Sequence, residues 1–455
     1  MRTGLSRVLL GVVFALAVGN ISAQTSTSAQ TAALFEGARV IVDTRRPPIE
    51  NAALLIDDGR IVKVGKRGEV RAPAGAARID LTGKTVMPAL IDSHVHLGYQ
   101  KGLSYAAGNF TRENLIDQLN RYAYAGVAAV LSLGTDPGDL PFQIRAEQDF
   151  GLLGGALYLT AGRGFAAPDA GPGTPAMKAS AYGITTEEQA RQGVREQIAR
   201  NVAFVKIWVD DRNGTVPKLS PALYRAIIDE AHMQGTRVIA HVYYLDDAKD
   251  LARAGIDAFA HLVRDREMDA EVIALIKQRK VVVMPNLDLA QSRTPAEAPA
   301  WLDDSLLKET TPAAVIDRMR AFYAHRPAEA VEAARKTYGN MQRSLAKLNA
   351  AGVRIALGAD SGAVPDHFHA YTSHRELQLM VEAGMRPAQA LTAATVTSAD
   401  FLRLADRGTL EAGKRADFVV LDANPLDDIA NTKRIADVYL GGRKLDRQAM
   451  RAAWK

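Results

Sequence analysis

The sequence predicts an α/β protein: a (β/α)8, TIM-like barrel with a composite β-sandwich built from both chain termini. Three observations predict it. Between residues 86 and 360, eight apolar runs alternate with stretches of helical periodicity, the pattern of parallel βαβ units. Segments that read as short strands with turn signals frame this region at both ends. The first of the eight runs ends in two histidines one residue apart, and the ends of later runs are also rich in ionisable side chains.

In chain order, residues 38–43, 52–57 and 60–65 read as strands, with Asp58-Gly59 as a hairpin turn. Residues 416–422 and 435–443 are their counterpart at the far end, hence a sandwich shared by the two termini. The first barrel strand is the apolar run Val86-Met87-Pro88-Ala89-Leu90-Ile91, which leads into Asp92-Ser93-His94-Val95-His96. Seven more follow at residues 127–133, 156–160, 204–209, 237–242, 258–263, 281–285 and 354–360. Amphipathic helical stretches between them include 112–125, 187–201, 222–234 and 248–254. The segment 289–347 exceeds an ordinary crossover and is expected to carry extra helices covering the active-site mouth.

The N-terminus reads differently. Arg2 and Arg7 precede the apolar run Val8 to Gly19, too short to span a bilayer comfortably, and Ile21-Ser22-Ala23 offers a small residue for cleavage. This is the pattern of a cleavable Sec-type signal peptide, placing the mature chain in the periplasm or medium with no membrane span. The expected division is 1–23 signal peptide, 24–32 disordered lead-in, 33–85 first part of the sandwich, 86–405 barrel, and 406–455 second part of the sandwich with a tail. Among 455 residues there is no cysteine, which excludes disulfides, thiol nucleophiles and cysteine zinc sites. Loss of Arg2 and Arg7 lowers the net charge from +5 to +3, too little, without a basic run, to suggest nucleic acid. A homo-oligomer is compatible with the composition.

Alternate residues of a strand point to one face, so His94 and His96 can reach one point in space. Imidazole is the commonest metal-ligating side chain near neutral pH. The fourth run carries Lys206 inside Phe204-Val-Lys-Ile-Trp; the fifth ends in His241, the sixth in His261 and the eighth in Asp360. Taken singly, a histidine at a strand end is usually an ordinary polar residue, and Asp360 within Gly358-Ala-Asp-Ser-Gly could open a turn. Lys206 resists such a reading: an unpaired ammonium among Phe204, Ile207 and Trp208 would be strongly desolvated, so it must be neutral, paired or modified. Together, these strand ends converge on one barrel mouth.

At this point the chain resembles the amidohydrolase superfamily, in particular its imidazolonepropionase-like and Xaa-Pro dipeptidase-like metal-dependent hydrolases. The motifs are Met87-Pro-Ala-Leu-Ile-Asp-Ser-His-Val-His, Ala390-Leu-Thr-Ala-Ala-Thr and Gly408-Thr-Leu-Glu-Ala-Gly-Lys-Arg-Ala-Asp-Phe-Val-Val-Leu-Asp-Ala-Asn-Pro-Leu; Ala89 stands where the family usually has glycine. The resemblance implies two divalent metal ions, zinc above all. It implies that His94 and His96 bind the more buried ion and that His241 and His261 bind the more exposed one. Lys206, as a CO2-derived carbamate, would bridge them, and Asp360 would bind the buried ion and shuttle the proton of the attacking water. A mononuclear centre is the rival, and the presence of Lys206 weighs against it.

For the substrate, Arg264 follows His261 by three residues, where a guanidinium suits a carboxylate. A salt bridge to Asp265 or Glu267 would explain it equally well. Tyr243 and Tyr244 could line the pocket, and so could His367 in the second HxH, Asp366-His367-Phe368-His369, which otherwise reads as a polar loop. His374 reads as structural, His232 and His325 as surface, and Gly162-Arg-Gly-Phe as a flexible loop. No Gly-x-Ser-x-Gly supports a serine hydrolase. The expected activity is cleavage of an amide or peptide bond in a small carboxylate-bearing molecule, such as an Xaa-Pro dipeptide or an N-acyl amino acid. Opening of a cyclic amide or lactone is the in-class alternative, and a non-catalytic periplasmic binding protein the alternative of another class.

Overall fold

The computed structural model describes residues 32–454. The expected signal peptide and nearly all of the lead-in lie outside the described residues.

The two ends of the chain meet in one sheet. Its strands run Arg443–Lys444, Ile435–Leu440, Phe418–Leu421, Thr85–Pro88, Ala33–Val40, Ile49–Asp57 and Arg60–Lys66, with Ala77–Asp80 also paired to Ala33–Val40. Both terminal regions are thus joined by hydrogen bonding in a single eight-stranded sheet, as the sharing expected from the sequence requires. The reason lies in Ala33–Val40. Register shifts between Glu36 and Ala38 and between Ala38 and Val40 let one edge of this strand serve two parallel partners. Ala33–Glu36 takes Ala77–Asp80, and Arg39 and Val40 take Thr85 and Val86. Phe35, Phe418 and Tyr439 pack ring to ring within its apolar face, Phe418 stacked on Tyr439 at 4.5 Å.

Between the termini the strands are parallel, apart from the short antiparallel pair Gln100–Lys101 and Ser104–Tyr105. Leu90–Val95, Val127–Ser132 and Leu157–Thr160 form one group. Gly164–Ala166, Val205–Val209, Val238–Val242, Ala258–Ala260 and Val282–Met284 form another, edged by Ala181–Gly183. Backbone bonds from the Ala203 N–H to the Thr160 carbonyl and from the Gly164 N–H to the Gly134 carbonyl link the two groups at one side. At the other side residues 354–361 lie between them, bridging Val283 to Ile355 and Val95 to Ser361. The sequence reading treats Gly162-Arg-Gly-Phe as flexible loop; instead Phe165 pairs with Ile207 and this stretch enters the sheet.

The helices expected from periodicity are present as Arg112–Tyr124, Glu187–Ala199, Pro221–Met233 and Leu245–Ala254. Their ends follow local chemistry. Thr111 and Ser220 cap by accepting backbone N–H groups, Thr186 forms a capping box with Gln189, and Gly255 closes the last helix in the left-handed region. The 289–347 insertion is helical, as expected. Its long helix, Ala328–Ala350, packs through Ser344 on the Met268 N–H and Arg343 and Lys347 on Glu267. Only its first residues, Leu289 and Arg293, reach the cavity described below. No helix among the described residues is long and apolar enough to cross a membrane.

Candidate metal centre and active site

Leu90–Val95 is anchored before it presents its histidines. Burial pushes the Asp92 carboxyl up to about 6, opposed by the hydrogen bonds it receives. Those bonds come from the His94 and Ala359 N–H groups at 3.1 Å each and from the Ser373 hydroxyl at 2.7 Å. The strand is thus tied to residues 354–361, so His94, His96 and Asp360 are held as one unit. The Asp360 N–H donates to the His94 carbonyl at 2.8 Å.

The side chains converge on the Asp360 carboxylate. Its Oδ1 lies 3.1 Å from His94 Nε2 and 3.0 Å from His96 Nε2, and its Oδ2 lies 3.9 Å from His261 Nε2. The two Nε2 atoms of the HxH pair are 3.3 Å apart. His94, His261 and Asp360 each offer one donor atom, all within 4.8 Å of one another. His241 stands beside them, its ring 4.5 Å from that of His261 and its Nε2 3.1 Å from Asp210 Oδ2.

The surrounding hydrogen bonds set the tautomer. Asn286 accepts the His261 N–H at 2.8 Å and donates to the Gly358 carbonyl at 2.7 Å, which fixes which end of its amide is oxygen. That oxygen faces His94 Nδ1 at 3.3 Å, so Nδ1 carries the proton and Nε2 presents a lone pair to Asp360 and His96. Burial holds the His94 and His261 imidazoles well below the usual histidine range, so both are neutral. Lone pairs and an anion therefore point at one another, and Asp360 Oδ1 makes no hydrogen bond. Such a set is stable with a divalent cation among its donors, so these residues fit a metal.

Lys206 enters the same space. It is 1% exposed, its Nζ has no hydrogen-bond partner, and burial pushes its ammonium down to about 7, with Asp360 opposing and Arg264 adding to the shift. Gly134 makes room for its stem: a Cβ there would lie 2.5 Å from Lys206 Cγ, and its φ of +89° also disfavours any other residue. Three residues of the centre hold left-handed backbone without being glycine: His261 (φ +83°), Asn286 (+52°) and Asp360 (+57°). Such clustering of uncommon conformations is typical of sites where function fixes the backbone.

The donors open into a cavity of about 390 Å³ whose wall includes Trp208, Arg212, Tyr243, Arg264 and Arg293. Arg264 makes neither of the salt bridges considered from sequence. Asp265 takes the Leu245 N–H and Arg266, Glu267 takes Arg343 and Lys347, and the buried Arg264 Nε has no partner. Tyr243 lies on the wall with the Arg264 guanidinium 5.7 Å from its ring centre. Tyr244 turns away and donates to Asp211 at 2.6 Å. His367 is not on the wall either: it is buried behind Asp360, with both ring nitrogens engaged. His374 is buried against Ala125 and Thr432, in keeping with a structural role, and His232 pairs with Asp257 near the surface.

Sequence reasoning passed over Thr135, 2.8 Å from His96 Nδ1, and also Asn286, Asp210 and Asp288. Asp210 had a signal, since it lies four residues after Lys206 on a strand whose alternate residues share a face. Asn286 follows the seventh strand directly after Pro285 and had none beyond its position.

Residues 85–445 match the model of the Amidohydrolase family. An imidazolonepropionase from Deinococcus deserti is 28% identical over 408 residues, covering 87% of this chain and 92% of the relative. An ochratoxinase from Aspergillus niger is 26% identical over 453 residues, covering 87% and 83% respectively. Among solved structures, a candidate prolidase from Bifidobacterium longum superposes with a TM-score of 0.73 at 26% identity, covering 93% of this chain and 98% of that one.

Proposed function

The chain belongs to the amidohydrolase family and is a hydrolase of carbon–nitrogen bonds, and from that premise we propose that it is an exported, binuclear metal enzyme acting on a small carboxylate-bearing amide. An Xaa-Pro dipeptide or an N-acyl amino acid is the substrate class. In this reading the parallel strands close into a (β/α)8 barrel whose mouth is the 390 Å³ cavity. The observation that carries the reading is the set of inward-facing donors without hydrogen-bond partners, Asp360 Oδ1 and Lys206 Nζ, beside the lone pair of His94.

His94, His96 and Asp360 would hold the deeper cation, His241 and His261 the outer one, and Lys206 both. For the last role the neutral Lys206 amine would add to CO2, the N–C bond forming as one C–O π bond opens and one N–H proton leaves, so that a neutral buried amine becomes a carbamate anion. When bound, two divalent ions of the zinc kind supply Lewis acidity that lowers the pKa of water and polarises a carbonyl. The protein's own part is positional and protonic. Asp360 accepts the proton of the attacking water as the C–O bond forms and delivers it to the leaving nitrogen as the C–N bond breaks, giving an acid and an amine. Arg264 holds the substrate carboxylate, and Tyr243 backs the guanidinium.

A panel of N-acyl amino acids and dipeptides is expected to yield a substrate whose hydrolysis stops with a chelator and returns with zinc. Failure of the whole panel with zinc-loaded protein would refute the substrate class. On the best member, Arg264→Met should raise KM by about 10–100-fold, the worth of a charge-assisted hydrogen bond, while leaving the corresponding carboxamide little changed. Equal effects on acid and amide would remove Arg264 from carboxylate binding.

A further inference from the structure

Behind the metal-facing side of Asp360 lies a second polar pair that the mechanism above does not use. His367 Nδ1 is 2.9 Å from the Asp360 backbone carbonyl, and His367 Nε2 is 2.9 Å from Asp288 Oδ2. Both residues are 4% exposed. A carbonyl oxygen accepts and never donates, so Nδ1 is the donor in the first contact. Asp288 is itself fixed: its N–H donates to Glu376 Oε2 at 2.8 Å, as the Leu287 N–H does to Oε1. The loop carrying His367 is pinned as well, with Arg318 clamping the Asp366 carboxylate and Gln100 accepting the Asp366 N–H at 3.0 Å.

We infer that Asp288 and His367 form a strut that holds Asp360 in its left-handed conformation, making His367 a positioning residue for the metal-binding, proton-carrying carboxylate. The inference rests on the reading of Asp360 as a ligand. Asp360 has a φ of +57°, a conformation that single Asp residues visit but that must be imposed by surroundings to persist. Its N–H is fixed by the His94 carbonyl, and its own carbonyl receives the Ala363 N–H at 3.2 Å and the His367 N–H at 2.9 Å. Of these, the imidazole is the only side-chain contact, and it is backed by a buried carboxylate. Releasing it frees the peptide after Asp360 to rotate, and the carboxylate swings with the backbone.

The test exploits the two ends of the ring. In His367→Asn the side-chain amide can take the place of Nδ1 and still donate to the Asp360 carbonyl; in His367→Gln it sits where Nε2 was and cannot. Zinc affinity, read by competition with a chromophoric chelator, needs no substrate and is independent of the proposed activity. It is expected to fall about 10–100-fold in His367→Gln and less than about threefold in His367→Asn, the range seen for groups that orient metal ligands. Steady-state kinetics on zinc-saturated protein should show the same order in kcat, with KM unchanged, since His367 does not line the cavity. Asp288→Ala, which leaves Nε2 without a partner, is the second variant, expected to weaken zinc binding in the same direction. It carries the test if His367→Gln melts early. Equal zinc affinity in the Asn and Gln variants, or wild-type affinity in both His367→Gln and Asp288→Ala, would overturn the strut. Tight zinc binding in the wild type without hydrolysis of any amide would instead overturn the functional reading and leave the affinity comparison valid.

Discussion

Asp360→Asn is expected to lower kcat by about 10²–10⁴-fold, the span that general acid–base groups contribute, with KM for a carboxylate substrate moved only a few-fold. The replacement is close to isosteric, and asparagine tolerates a left-handed φ as well as aspartate does, so the fold should survive. Two things are lost. An amide oxygen cannot carry the water's proton to the leaving nitrogen, and the amide removes the anion on which His94, His96 and His261 converge. Zinc content measured alongside the kinetics separates these losses. A variant that keeps its zinc and still loses kcat has lost the proton carrier. A zinc-loaded variant with kcat within tenfold of wild type would show that the proton travels by another group.

Lys206→Met should have two effects of opposite value. Metal content is expected to drop from about two equivalents per chain to about one, because the bridge is gone while His94, His96 and Asp360 remain. One equivalent in both proteins would refute the bridged pair. The metal-free variant should nevertheless be the more stable protein. The Lys206 ammonium is pushed from 10.5 down to about 7 by burial, so folding costs the wild-type apoprotein a proton or a desolvated charge. A depressed folded-state pKa makes the penalty full below pH 7, lets it shrink between pH 7 and 10.5, and removes it above that. Methionine, similar in volume and uncharged, escapes it. Denaturant unfolding of chelator-treated proteins under CO2-free buffer should therefore favour Lys206→Met by a few kcal/mol at pH 6, and by much less at pH 9. A stability difference that does not change between these two pH values would mean that the lysine is not the buried, unpaired base described here.

The contrast between the two HxH pairs shows what a sequence can and cannot say about such a site. His94 lies in Leu90–Val95 and His96 just beyond it, so spacing alone aims both rings at one point, 3.3 Å apart at their Nε2 atoms. His367 and His369 have the same spacing but lie in a loop, and their rings part company, His367 toward Asp288 and His369 Nε2 toward the His96 carbonyl. Spacing is informative only where the backbone conformation is already known. Lys206 was legible for a different reason, namely that a charge within an apolar strand conflicts with its neighbours. Thr135 and Asn286 raise no such conflict, since hydroxyls and amides end strands in many proteins. Their roles exist only through contacts with residues distant in sequence, as between Asn286 and His94. The same limit applies to the terminal sheet. Short apolar runs and a turn signal marked the strands at residues 52–57, 60–65 and 416–422, but nothing local specified that Thr85–Pro88 would lie between Ala33–Val40 and Phe418–Leu421.

That placement governs the order in which the chain can fold. Thr85–Pro88 leads directly into the strand bearing His94, yet its antiparallel neighbour Phe418–Leu421 comes from the other side of the whole parallel-strand region in sequence. Until that neighbour docks the segment presents an open edge, and the Ala89 N–H has no Asp417 carbonyl to receive it. Pairings of such sequence separation form slowly, because a very long loop must close before any contact repays it. A chain in which Phe418–Leu421 has not yet docked is thus a sticky intermediate with five strands of the eight-stranded sheet in place. Docking of Phe418–Leu421, and not the convergence of the metal ligands, is the step that joins the two ends of the chain in this sheet.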